Sequence, residues 1–358
     1  MEEKGIRNRE RFSMCVKRHF VFRVPSLFVI AVMLALASSS AEAQQKRDRQ
    51  GPKLLGDLEV NFEIQHRADE DEWVFDYPIY GNIGILYEGE GVEAKVSVDL
   101  VEEISIGETY IHGGAGYSYL QIGYYTETWR TGYSWSVVDI LNRYDERYPN
   151  SVFYRNVMRP NPMITLSFGR ENYAQQVVVS QREEQFQSVD DALIGLHSLI
   201  SRTGLVSGLG FIRYAGHPPP LLFLTGKTEG KRTSGWVEVG WWIRKDAPDT
   251  VNSVLGGRQN FSSAFIIAEF IVDDSDLILF LEEEMGVGSR ITIDLRSYMY
   301  LNEFSAGIDT FFSTAVNEYV QIDLGGMYFF GKDGSYFTRY DPEMDNDDKI
   351  YLRLLYSF

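Results

Sequence analysis

Cysteine is all but missing from the 358-residue chain. The single one, Cys15, leaves no disulfide framework and no thiolate cluster for a soft metal. Beyond the first 43 residues histidine is reduced to His66, His112, His197 and His217, too scattered for metal-ligand spacing. Positive charge is also short: 34 Lys or Arg stand against 51 Asp or Glu, a net charge of −17, which argues against nucleic acid as a partner. Only one apolar run is long, Val24 to Ala37, and at about 14 to 17 residues it is too short for a spanning helix. A mean hydropathy of −0.21 excludes a bundle of membrane helices. No H-E-x-x-H, G-x-S-x-G or G-x-G-x-x-G is present, so no enzyme activity, metal or cofactor is expected.

What is present begins with an export leader. Lys17, Arg18 and Arg23 precede the apolar run, and Ala41-Glu42-Ala43 supplies the small residues of a cleavage site, which marks 1–43 as a signal peptide and 44–358 as one exported domain. Glu2, Glu3 and Glu10 are out of place in a basic leader, which points to Met14 as the translation start. The leader carries 7 basic and 4 acidic residues; without it 315 residues remain, with 27 basic and 47 acidic side chains, a net −20.

Along that domain the apolar period is two. Val92, Ala94, Val96, Val98 and Leu100 alternate with Glu93, Lys95, Ser97 and Asp99. The same split separates Leu58, Val60, Phe62 and Ile64 from Glu59, Asn61, Glu63 and Gln65, and Ile291, Ile293 and Leu295 from Thr292, Asp294 and Arg296. Alternation alone fits two architectures. In a soluble sandwich the apolar parity faces inward; in a membrane barrel it meets lipid and the ionic parity lines a wet lumen.

Three features favour the barrel. Several strands approach the 9 to 11 residues that a tilted bilayer crossing needs, beyond the soluble mean of about 5 or 6. Long connections at 67–78, 126–162, 182–191, 215–233 and 331–346 fall on one end and short turns on the other. The chain also closes on Ile350, Leu352, Leu354, Tyr356 and Phe358. This ending resembles the C-terminal assembly signal of Gram-negative outer-membrane β-barrels, in which Tyr356 and Phe358 would be read by the barrel-assembly machinery. The resemblance to porin-like barrels extends inward. Gln121-Ile122-Gly123, Trp129, Gly132 and Asp139-Ile140-Leu141-Asn142 are similar to their strand-then-loop motif, Ala192 to Gly216 with Pro218, Pro219 and Pro220 to the following hairpin, and Ala268-Glu269-Phe270 to a later strand. No proline follows Asn142, where the commoner pattern has one.

The expected fold is an all-β transmembrane antiparallel β-barrel of about 16 strands, 14 to 18 being compatible with the pattern. The expected function is passive diffusion of small hydrophilic solutes across the outer membrane, with cation preference. The lumen-wall candidates are Glu59, Glu63, Glu93, Lys95, Asp99, Glu269, Asp294, Arg296, Asp309 and Asp323. The loop 126–162 is long enough to fold inward, and Arg130, Asp139, Arg143, Asp145, Arg147, Arg155 and Arg159 are its constriction candidates. An external loop whose arginines meet lipid phosphates is equally compatible. Two other function classes remain open: a non-conducting barrel that binds or adheres through its outer loops, and a secreted soluble carbohydrate-binding β-sandwich. Three smaller features have plain readings. Gly226-Lys227-Thr228 reads as an outer-loop turn, because Leu221 stands where a phosphate loop has its first glycine. Asp341, Glu343, Asp345 and Asp347 read as a hydrated acidic loop or a loose divalent-ion site. Glu282, Glu283 and Glu284 read as a strand end.

Overall fold

The computed structural model describes residues 52–67, 72–101, 103–138, 141–144, 153, 158–181, 192–214, 220–244, 247–288, 290–332, 335–338 and 348–358. The leader and the acidic stretch 341–347 lie outside them. Among the described residues the regular elements are strands: β1 (Lys53–Arg67), β2 (Glu72–Asp76), β3 (Ile79–Gly89), β4 (Val92–Val101), β5 (Glu103–Ala115), β6 (Ser118–Tyr125), β7 (Arg143–Tyr144), β8 (Met158–Arg159), β9 (Asn161–Arg170), β10 (Tyr173–Gln181) and β11 (Ala192–Arg202). The remainder are β12 (Leu205–Tyr214), β13 (Leu221–Glu229), β14 (Thr233–Trp242), β15 (Thr250–Asn260), β16 (Ala264–Asp273), β17 (Asp276–Val287), β18 (Ile291–Tyr300), β19 (Ser305–Ala315), β20 (Val320–Phe330) and β21 (Asp348–Ser357).

Sequence neighbours pair antiparallel, and β21 returns to pair with β1 from Asp57↔Ser357 to His66↔Asp348. The sheet therefore has no free edge. Of its 19 strands β2 is a short flap on the far half of β1, broken from β3 at Tyr77-Pro78; the other eighteen close the ring. A two-sheet sandwich is thereby excluded.

The sixteen expected strands fall short by β13 and β15, one on each side of β14. Leu221–Glu229 follows three prolines and contains Gly226-Lys227-Thr228, which masked it as a turn; in fact that tripeptide lies in the wall, with Lys227 opposite Trp236. In Thr250–Asn260 the alternation dissolves at Gly256-Gly257, where Gly256 leaves room for the Trp236 indole. With them in the ring, the turns 230–232 and 261–263 join the short-turn end and the connection 243–249 the other. The turn at Asn302 is brief for the long-connection end, and its carboxamide accepts from Leu277 N (2.9 Å) and donates to Ser275 O (2.7 Å), doing the work of a longer loop. Two further corrections are local. His112 to Ala115, which the sequence reads as a short turn, belong to β5, with the turn at Gly116-Tyr117, and Glu282 to Glu284 lie within β17 rather than at its end.

Register converts the period-two pattern into two faces. On β9 Met163, Thr165 and Ser167 point inward and are buried, while Ile164, Leu166 and Phe168 point outward and are exposed. The same outward row continues through Val179, Leu196, Leu209 and Leu224 to Leu255, Leu295, Phe312 and Leu324. One glycine is forced by this geometry. Gly123 on β6 has φ +151°, and a Cβ there would run into Thr109 O and Tyr110 Cα of β5. Gly123→Ala is expected to cost about 1–3 kcal/mol, read as a lower urea midpoint for the folded barrel; an unchanged midpoint would refute the close approach.

Candidate functional site

The connection leaving β6 does not hang outside. Its described residues, 126–138 with 141 and 142, run into the barrel and reach β17, nine strands round a ring of eighteen and hence directly across from β6. Its base is tied first. Asn142 Nδ2 donates to Glu127 O (2.6 Å) while its Oδ1 accepts from Glu127 N (3.1 Å), and Asn161 Nδ2 donates to Leu141 O (3.0 Å). Burial raises the Glu127 carboxyl above its ordinary pKa, and the Thr165 hydroxyl donating to it at 3.1 Å opposes that shift.

Beyond the base the loop packs through apolar side chains. Trp129, Trp135, Val137, Val138 and Leu141 join Leu193, Phe223, Trp236, Val254 and Phe280 of the wall in one buried cluster. The Trp129 ring lies 4.9 Å from His197 and 5.7 Å from Phe223, a fit that Gly195 permits because a Cβ there would strike the indole. Burial of these five side chains contributes to the loop's adhesion.

Two wall carboxylates then hold its backbone. Glu238, fully buried on β14, accepts from Gly132 N (2.7 Å), Val137 N (3.1 Å), Ser136 Oγ (2.8 Å) and Thr131 N. Glu269, equally buried on β16, accepts from Tyr133 N (2.5 Å), Ser134 N (2.7 Å), the Ser134 hydroxyl and Trp236 Nε1 (2.5 Å). A loop without regular structure has unpaired amides, and buried amides need acceptors; these carboxylates are the acceptors. At the far wall Tyr133 OH donates to Glu282 (3.0 Å). Burial, and next the Glu282 charge, raise the Tyr133 phenol, so it stays a neutral donor; this contribution is lost only as pH rises through that elevated value.

The wall beyond the loop is ionic. Arg296 lies 3.7 Å from Glu282 and 3.5 Å from Asp294, Arg353 lies 3.0 Å from Glu59 and 3.7 Å from Asp323, and Lys349 lies 3.5 Å from Glu63. Tyr351 OH donates to Asp309 (2.7 Å). Further round, Lys95 pairs with Glu108 (2.7 Å), Tyr110 OH donates to Glu93 (2.6 Å) and Asn82 donates to Asp99 (2.5 Å). Among the described residues no group of His, Cys, Asp or Glu is arranged to hold a metal ion.

No family model matches the chain, and no curated protein matches it in sequence. Solved structures do match. An engineered variant of the Rhodopseudomonas blastica porin is similar over 86% of this chain and 100% of its own, with TM-score 0.53 and 11% identity. A second variant of the same porin gives TM-score 0.52 at the same identity and the same coverage. The fold is that of a porin.

On this porin fold all ten wall candidates, Glu59, Glu63, Glu93, Lys95, Asp99, Glu269, Asp294, Arg296, Asp309 and Asp323, take the inward parity. The loop candidates are divided. Arg130 sits on the inward loop and Arg159 on the short β8; Arg143 is placed by its backbone alone in β7; Asp139, Asp145, Arg147 and Arg155 fall outside the described residues. Glu238, Lys349 and Arg353 were not singled out from the sequence, and Glu282 was read only as part of a strand end. For Glu238 a signal existed: it is the only acid between Trp236 and Trp242, on the parity opposite Val237, Val239 and Trp241.

Proposed function

We propose that the chain is an outer-membrane porin through which small hydrophilic solutes diffuse passively, with residues 126–142 narrowing the lumen. The observation that carries this reading is the inward loop. A barrel that merely displayed its connections to a partner would have no reason to bind one of them backbone-first to its own far wall at Glu238 and Glu269. The outward face supports the location. Its apolar surface runs across strand after strand, far beyond the few hundred Å² a soluble monomer shows, as expected where hydrocarbon replaces water. Export by the leader and assembly through Tyr356 and Phe358 belong to the same proposal.

Cation preference follows from the charge of the inner wall. The wall from Glu282 through Asp294, Asp309, Asp323, Glu59 and Glu63 carries six carboxylates, with Arg296, Lys349 and Arg353 as the cations beside them. Such walls repel anions in a narrow passage. In a planar bilayer under a potassium chloride gradient the reversal potential is expected to take the sign of cation selectivity, and a clear anion-selective value would refute it. The buried aromatic cluster gives the non-conducting alternative its one specific support; a folded, heat-modifiable barrel carrying no current would favour that alternative.

A further inference from the structure

We propose that the cavity beneath the inward loop is a subsite for small phosphate-bearing anions. It has a volume of about 410 Å³, within the range of small-ligand sites, and lies between the loop and the short-turn end of β13 to β16. Three cations line it, Arg130 from the loop and Lys227 and Arg258 from the wall, against the single carboxylate of Glu229. The register brings the wall pair together: Lys227 is opposite Trp236, Glu229 is opposite Ser234, and Ser234 is opposite Arg258, so Lys227 and Arg258 are separated by one strand and a diagonal step.

Arg258 differs from every other inward cation of this wall. Arg296, Lys349 and Arg353 each have a carboxylate within 4 Å, whereas among the described residues none comes that close to Arg258. Its Nε instead donates to Asn260 Oδ1 (2.8 Å), and the guanidinium carbon lies 3.9 Å above the centre of the Phe265 ring. Both contacts fix the plane of the fork and leave its terminal N–H groups to an incoming acceptor, the geometry suited to bidentate phosphate binding. Among the described residues Lys227 is held by Glu229 (2.7 Å), an exposed pair of little intrinsic strength that a ligand can displace. The Thr128 and Ser234 hydroxyls on the cavity wall add donors.

The consequence rests on the channel reading: in a lumen whose far wall is acidic, an isolated basic subsite would give anions a resting place that the wall denies them. The binding itself does not need conduction. Inorganic phosphate and glycerol phosphate, titrated separately with the detergent-folded mature protein, are expected to show saturable phosphorus-31 line broadening, the tighter of the two identifying a free or an esterified source. Arg258→Gln with Lys227→Gln is expected to weaken it at least about ten-fold, whereas Arg258→Lys keeps part of it; heat-modifiable mobility verifies that each variant is folded. Broadening that does not saturate, or that the double variant retains in full, would overturn the subsite. A barrel that conducts yet broadens neither probe loses the subsite alone, and one that broadens them without carrying current loses only the channel.

Discussion

Replacing Glu238 and Glu269 together by alanine is expected to release the inward loop and raise single-channel conductance roughly two-fold or more, since the narrowest section of a channel sets its resistance. The carboxylates act on backbone, so their loss cannot be repaired by rotamer changes in the loop. Glu238→Ala would leave the amides of Thr131, Gly132 and Val137 without their acceptor in a buried place, and Glu269→Ala those of Tyr133 and Ser134. Hydrogen bonds to charged groups are worth about 1.5–3 kcal/mol each, so either change alone costs about 3 kcal/mol or more once the stranded amides are included. Against this stands the apolar packing of Trp129, Trp135, Val137, Val138 and Leu141, which single variants leave intact. That packing is the same in every variant, so the number of stranded amides decides: with one carboxylate left the loop is expected to flicker between two conductance levels, and with both lost to remain in the larger one. Deleting residues 135 to 155 sets the upper limit. Protease added on the long-connection side should cut the loop in the double variant and spare it in the parent. Equal currents and equal cleavage patterns in all of them would sink the constriction.

The legible part of this fold was its periodicity, and the reason is mechanical. A ring of strands with different media on its two faces imprints a period of two wherever the strand is regular, as in Val92 to Val101 or Ile291 to Tyr300. The pattern fails where the wall serves something else. β15 gives up side chains at Gly256-Gly257 so that Trp236 can reach Glu269, and β13 begins directly after Pro220 and passes through Gly226. Each strand departs from alternation for the sake of its neighbours, so the departure makes sense only once those neighbours are known. The site shows the same division. The length of the segment after β6 left an inward fold and an external loop equally open, and Trp129, Gly132 and Asn142 entered only as a motif resemblance; in the structure Asn142 locks the base and Gly132 offers its amide to Glu238. Which wall carboxylates receive the loop was not legible. Glu269 was expected to line the lumen, and whether an inward acid faces water or a loop backbone depends on a path of about 15 residues that periodicity does not encode.

Leu209→Arg separates a bilayer protein from a water-soluble barrel more sharply than any lumen change. Leu209 lies midway along β12, 63% exposed on the outward face, opposite Ser198 of β11 and Leu224 of β13. In water such a substitution touches nothing buried and would change stability by no more than about 0.5 kcal/mol. At the midplane of a bilayer the same arginine must desolvate or drag water inward, at a cost of about 2–4 kcal/mol. The variant is accordingly expected to fold poorly into lipid vesicles, with a lowered urea midpoint and most of the protein failing to show the heat-modifiable band. Gln176→Arg is the matched control. Gln176 takes the inward parity on the nearby β10 and lines a cavity of about 710 Å³ at the short-turn end, where an added cation meets water and nearby acids such as Glu93. It is expected to leave folding close to the parent and to shift the reversal potential toward anions. If the two arginines destabilise the barrel equally, or if Leu209→Arg is silent in vesicles, then the apolar outer face does not meet hydrocarbon, and the membrane location falls with it.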